Sequence, residues 1–219
     1  MTFFHEQLGI LRAKVLQMAA HAERAVENSF DSFLNKDQEM AQEVIERDQD
    51  INALEVEIDN VSLKLLALDQ PMARDLRFIV GCMRLVIDLE RIGDEAVNVA
   101  ERTIFMSNLP TQAVSPLMEQ LTAMVRDMFL KAIAAFREGD AELAAQVCRL
   151  DASVDEQHFK VVKNAMNVSA CDNTIMERAI HRIMVAKAME RIADQATNIA
   201  ETTIFIVKGV SVKHHCMPF

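Results

Sequence analysis

Sixteen residues, Glu90-Arg-Ile-Gly-Asp-Glu-Ala-Val-Asn-Val-Ala-Glu-Arg-Thr-Ile-Phe105, return a hundred positions later as Glu190-Arg-Ile-Ala-Asp-Gln-Ala-Thr-Asn-Ile-Ala-Glu-Thr-Thr-Ile-Phe205, identical at eleven places. A repeat of that length constrains the chain to two copies of one unit. The match continues upstream, where Asp37-Gln-Glu-Met-Ala-Gln-Glu-Val lies over Asp140-Ala-Glu-Leu-Ala-Ala-Gln-Val, and Asp48 and Asn52 lie over Asp151 and Asp155.

Apolar positions step by three and four through each copy, the mark of amphipathic helices. Leu8, Leu11, Val15, Met18, Ala22, Ala25, Ser29 and Phe33 stripe a first helix over about 5–34. Asp37 is placed to cap a second, carrying Met40, Val44, Ile51, Leu54, Ile58, Val61 and Leu65. Pro71 suits the first turn of a third, which runs through Leu76, Ile79, Met83 and Val86 to about Met106. Ser107-Asn-Leu-Pro-Thr111 is a linker, and the pattern then restarts. A fourth helix stops at Glu138-Gly-Asp140, and a fifth carries Leu143, Val147, Leu150, Val154, Phe159 and Val162. After a turn at Ser169-Ala-Cys-Asp172, a sixth carries Ile175, Ile180, Ile183, Met184, Met189 and Ile192. The expected fold is all-α: two tandem three-helix bundles related by internal duplication, over 1–108 and 109–209, with a tail at 210–219.

Composition narrows the function. Among 219 residues there are 5 Gly, 4 Pro and no Trp or Tyr, as long helices with few turns require, and the 14 Met read mostly as core filler. A net charge of −10 argues against a nucleic-acid groove or an anionic lipid surface, since both need a basic patch. Cys82, Cys148, Cys171 and Cys216 are widely spaced, which suits a reducing compartment. With no membrane-length apolar run and no signal-like N-terminus, the chain reads as cytoplasmic, without membrane insertion. His214, His215 and Cys216 in the tail are a weak metal set.

The repeated stretch carries a second message. At about 100° per residue, Glu90, Asp94, Asn98 and Glu101 fall within roughly 80° of one another, as do Glu190, Asp194, Asn198 and Glu201. Opposite them run Ile92, Ala96 and Val99, matched by Ile192, Ala196 and Ile199. The plain explanation is a solvated polar face. Yet both copies keep the acids, the amide and their spacing while other positions drift, and neighbouring carboxylates repel unless something neutralises them. The middle helix of each unit adds Asp48 with Asn52, and Asp151 with Asp155, followed by Glu55 in one half and His158 in the other. In an up-down bundle these pairs can meet the third-helix pairs across a groove.

Such an oxygen-rich set suits magnesium, manganese or iron. Arg91 and Arg191 offer a metal-free alternative, an ion-pair seam between the halves. The paired Glu-x-x-His of di-iron bundles is missing, as are a phosphate-cradling Gly loop and a nucleophile elbow, so the sequence gives no support to an enzyme.

The doubled motif Glu-Arg-Ile-x-Asp with its Asn four residues on, and Met72-Ala-Arg-Asp-Leu-Arg77 at the entry to the third helix, resemble the PhoU family of phosphate-uptake regulators over nearly the whole chain. The resemblance implies a cytoplasmic, dimeric protein that restrains phosphate import and the phosphate-starvation response. Its implied partners are the ATPase subunit of the phosphate ABC importer and a PhoR-type sensor kinase, and it implies no catalysis. It also implies metal ions, multinuclear iron or others such as zinc, on Glu/Asp-x-x-x-Asp motifs. Those motifs map to Glu90 with Asp94, Glu190 with Asp194, Asp48 with Asn52, and Asp151 with Asp155. Asn52 departs from the pattern, and the site containing it should bind less well.

Overall fold

The computed structural model describes residues 3–110, 113–168 and 173–212. The expected turn at Ser169–Asp172 and the tail residues His214, His215 and Cys216 lie outside the described residues. Six helices follow one another: α1 (Phe3–Asn35), α2 (Gln38–Asp69), α3 (Ala73–Ser107), α4 (Pro116–Glu138), α5 (Ala141–Val168) and α6 (Asn173–Lys208). The fold is thus the duplicated pair of three-helix units.

Both sharp turns within the units share one construction. Gly139 adopts φ 69° and Lys36 φ 59°, left-handed conformations that end α4 and α1. In each case the next residue's N–H reaches back five positions, Asp140 to the Ala135 carbonyl and Asp37 to that of Ser32, both at 2.9 Å. The same aspartates then cap the following helix. Asp37 accepts from the Met40 N–H at 3.0 Å, and Asp140 from those of Glu142 and Leu143 at 2.9 and 3.0 Å. At α3 the expectation needs correcting. Pro71 lies ahead of the helix, because Gln70 turns left-handed to close α2 and Met72 is extended.

The helices form two layers. In front, α2 packs on α3, α3 on α6 and α6 on α5; behind, α1 covers α2 and α3, α4 covers α5 and α6, and α1 touches α4. The central pair α3 and α6 runs antiparallel, with Arg84 over the Phe205 ring at one end and His181 against Phe105 at the other. A Cβ on Gly81 would collide with Ile206, so glycine lets the two helices close there. The apolar faces read from the repeat, Ile92, Ala96, Val99, Ile192, Ala196 and Ile199, are fully buried. Cys82 is buried too, and burial pushes its thiol up to about 12, against a weak pull from Arg12, so it serves as packing.

Four residues expected in apolar stripes face solvent instead: Leu76, Phe159, Ile180 and Met184. On α6 the buried face takes Arg178 and His181 in place of Ile180 and Met184. Arg178 donates to the Met106 carbonyl at 3.3 Å, at the C-terminal end of α3 where that carbonyl also takes the Leu109 N–H at 3.1 Å, and His181 stacks on Phe105. Long polar side chains with such partners can be buried where periodicity alone expects aliphatic ones.

Candidate functional site

Each unit gathers its acids in the groove between its middle and third helices. In the first, Asp48 accepts from the Asn52 amide at 2.8 Å and leans against α3, its Oδ1 3.2 Å from where a Cβ on Gly93 would stand. Glycine at 93 thus lets a carboxylate of α2 lie beside Asp94. Burial, then the charges of Asp94, Glu55 and Asp48, raises the Glu90 carboxyl above its ordinary range, with Arg91 opposing. Asp94 is raised by its surroundings and by Asp48, while a hydrogen bond with Glu90 holds it back. Glu55 is raised by burial and by Asp59 and Asp94. Raised carboxyls on both walls place Asp48, Glu55, Glu90 and Asp94 in one electrostatic cluster.

The second unit repeats the cluster with different chemistry. Thr197 on α6 donates to Asp151 on α5 at 3.0 Å. Burial together with Glu190, Asp151 and Asp155 pushes Asp194 up to about 6, against the pull of Lys187. Asp194 remains an exposed residue, so the carboxylates around it are the firmer cause. Lys187 pairs with Glu190 at 2.5 Å. His158 takes the place of Glu55; its Nε2 is buried without a hydrogen-bond partner, and burial lowers its pKa while Glu190 and Asp155 pull the other way.

The two amides of the ladder donate their hydrogen bonds on the side of the central seam. Asn98 donates to Glu95 at 3.1 Å, and Glu95 takes the Arg191 guanidinium of the other unit at 2.9 Å. Asn198 donates to Asp88 of α3 at 3.3 Å and to Gln195 at 3.2 Å. The physical reason is angular. An arc of about 80° on a helix with neighbours on both sides spans two contacts, so Glu90 and Asp94 turn to the middle helix while the amides turn to the central seam. Arg191 does bridge the halves, as the metal-free alternative expects, but it uses Glu95, outside the ladder.

The residues that sequence reasoning passed over, Gly93, Glu95 and Thr197, all sit where the two copies differ: Gly93 against Ala193, Glu95 against Gln195, Val97 against Thr197. Drift inside an otherwise fixed stretch was the available signal.

Among the described residues, no three His, Cys, Asp or Glu side chains already stand in an arrangement that could hold an ion. By donor chemistry the sets are of the kind that suits a hard cation: carboxylates of two helices influence one another in each unit, and in the second the orphaned His158 Nε2 belongs to a side chain under the influence of Glu190 and Asp155. Larger hollows lie away from these acids: about 280 Å³ lined by His21, Arg24 and Arg47, and about 570 Å³ by Arg12, Arg74 and Phe136. The acids occupy open grooves, which suit ions or a protein surface.

Comparison with known proteins gives a consistent picture. The PhoU domain matches residues 15–103 and 118–203, one match per unit. The chain is 35% identical over 215 residues to the phosphate-specific transport system accessory protein PhoU homolog of Pseudomonas aeruginosa, covering 96% of this chain and 88% of that protein. It is 35% identical over 209 residues to the homolog of the same description from Aquifex aeolicus, covering 95% of each. The crystal structure of PhoU from Pseudomonas aeruginosa superposes with a TM-score of 0.89 at 34% identity, over 94% of this chain and 100% of that one. That of the phosphate transport system regulatory protein PhoU from Streptococcus pneumoniae superposes with a TM-score of 0.87 at 25% identity, over 95% and 99%.

Proposed function

The chain belongs to the PhoU family, and from that membership we propose that it is an accessory protein of phosphate-specific transport that restrains phosphate uptake and the phosphate-starvation response. The observation that carries this reading is coverage: the family's domain matches both units, and relatives described as such accessory proteins align over 88 and 95% of their own lengths. In this reading the protein works in the cytoplasm as a homodimer. It binds the ATPase subunit of the phosphate ABC importer and a PhoR-type sensor kinase, and catalyses no reaction itself. None of its described helices is long and apolar enough to cross a membrane.

The acidic clusters enter this reading as cation sites. Asp48, Asn52, Glu90 and Asp94 would hold one ion, and Asp151, Asp155, Glu190 and Asp194 another, drawn from iron, zinc, manganese or magnesium. A bound cation supplies the positive charge that lets these carboxylates stay ionised together. The chain's own part is to carry the ligands on two helices, so that loading ties α2 to α3 and α5 to α6. A partner that prefers the tied arrangement then responds to metal, since a ligand shifts an equilibrium only through its differential affinity for two states. Asn52, a neutral amide already engaged with Asp48, makes the first site the weaker.

Deleting the gene tests the regulatory reading. Phosphate uptake and alkaline-phosphatase expression should both rise in phosphate-replete cells, and no change in either contradicts it. A second reading, a metal-free scaffold with no phosphate role, draws support from the Arg191–Glu95 pair that already neutralises part of the seam. Metal content of protein purified without chelator separates the two.

A further inference from the structure

The duplication supplies its own control for one feature of the first unit. At an offset of 103 positions α1 lies over α4, and from Val15 to Phe33 their buried positions coincide with one exception: Ala25 is half-buried where Met128 is buried. Beside Ala25 opens the hollow of about 280 Å³ between α1 and α2, lined by Ala20, Ala25, Val44 and Ile51 together with four polar residues, His21, Arg24 and Asn28 of α1 and Arg47 of α2. No acid lines it. In the second unit those four polar places are taken by Met124, Asp127, Lys131 and Leu150. There Met124, Met128 and Leu150 pack into or against the core, while Lys131 pairs with Asp127 at 2.6 Å. The same helix pair thus forms with this place filled and apolar, so packing does not require the basic hollow.

The four polar side chains bring more donors than the protein answers. His21, Arg24 and Asn28, at i, i+3 and i+7, fall within about 60° on one face of α1. Arg24 and Arg47 share a single carboxylate, Glu43, at 3.4 and 2.7 Å. The longer contact is the weaker, so Arg24 is the loosely held cation. Among the described residues His21 and Asn28 are half-buried without a hydrogen-bond partner. Two guanidinium groups against one carboxylate leave a surplus of positive charge, in a chain whose net charge is −10.

We infer that this hollow is a binding site for a small tetrahedral oxyanion of the phosphate class. Guanidinium forks match phosphate oxygens two at a time, and donors arriving from two helices suit a tetrahedral ion better than a planar carboxylate, which one fork satisfies. A hollow of about 280 Å³ lies at the lower edge of ligand pockets, which span about 300–1,000 Å³, so the occupant is compact. The inference goes beyond the accessory-protein reading and does not depend on it. It is also separate from the acidic grooves, which take the opposite charge.

Inorganic phosphate is the probe, titrated into the full chain by isothermal calorimetry beside acetate at equal ionic strength. Phosphate should bind and acetate should not. Arg24→Gln should weaken binding about tenfold, as the loss of a charge-assisted contact does. His21→Met with Arg47→Leu gives the hollow the second unit's residues and should abolish binding without lowering the melting temperature; Arg24→Gln, at an exposed residue, carries the test alone if that double variant melts lower. Asp94→Asn with Asp194→Asn should leave phosphate binding intact. Binding lost in that last variant and kept in Arg24→Gln would put the anion on cations held in the grooves, and overturns the site. So does equal binding of acetate, unchanged affinity in the basic variants, or no binding of phosphate at all. Phosphoserine tells the two sources of this chemistry apart: tighter binding of phosphate assigns a free ion, tighter binding of phosphoserine a phosphoryl group on a larger molecule. The site and the regulator fail separately. Phosphate binding that weakens with Arg24→Gln, in a protein whose gene deletion leaves uptake unchanged, sinks the regulator alone; a chain that binds no phosphate but whose deletion raises uptake sinks the site alone.

Discussion

Asp194 shows at a single residue what gathering carboxylates costs the fold. A carboxyl raised to about 6 from an ordinary 3.8 binds a proton more tightly in the folded chain than in the unfolded one. Its contribution to stability is therefore fully present below the ordinary value and lost as pH rises through about 6. Metal-free protein should melt higher at pH 5 than at pH 7. Asp194→Asn should raise the melting temperature at pH 7 and flatten that pH dependence; equal slopes in the two proteins would show that the acids do not crowd Asp194. The same linkage makes ion binding strengthen as pH climbs through that window, because the ion takes the deprotonated form. The acids of both walls were legible in the sequence as spacing. Gly93 and Thr197, which set how closely the walls approach, were not, because a missing side chain and a single hydroxyl leave no periodic trace.

At the scale of the element, the two unit turns are a built-in comparison. Lys36 and Gly139 occupy the same left-handed position, and only glycine does so without a steric penalty. Lys36→Gly should stabilise the chain by about 0.5–1 kcal/mol in urea unfolding, and Gly139→Lys should destabilise it by about 1–2 kcal/mol. Where α3 meets α6, Gly81→Ala should cost about 1–3 kcal/mol as Ile206 is forced aside. The helices themselves, their turns at Asp37 and Asp140 and the buried Ile92 and Ile192 faces followed from pattern. The rest of α6 did not. Arg178 and His181 are buried because the end of α3 and Phe105 receive them, and periodicity on one helix carries no information about the groups its neighbour presents.

For the whole molecule, the duplication sets the arrangement. Two units meet through an antiparallel central pair, so the two acidic grooves open on one face. That would put both proposed cation sites within reach of one partner. The account stands on the grooves taking up cations together with their unit's four ligands, and metal content measures that most directly. Protein purified without chelator should carry bound divalent or ferric ion in mass-spectrometric elemental analysis, should lose it in the Asp94→Asn/Asp194→Asn double variant, and should melt lower after chelation. Protein that carries no ion, and whose double variant and chelated form melt as the parent does, would contradict it.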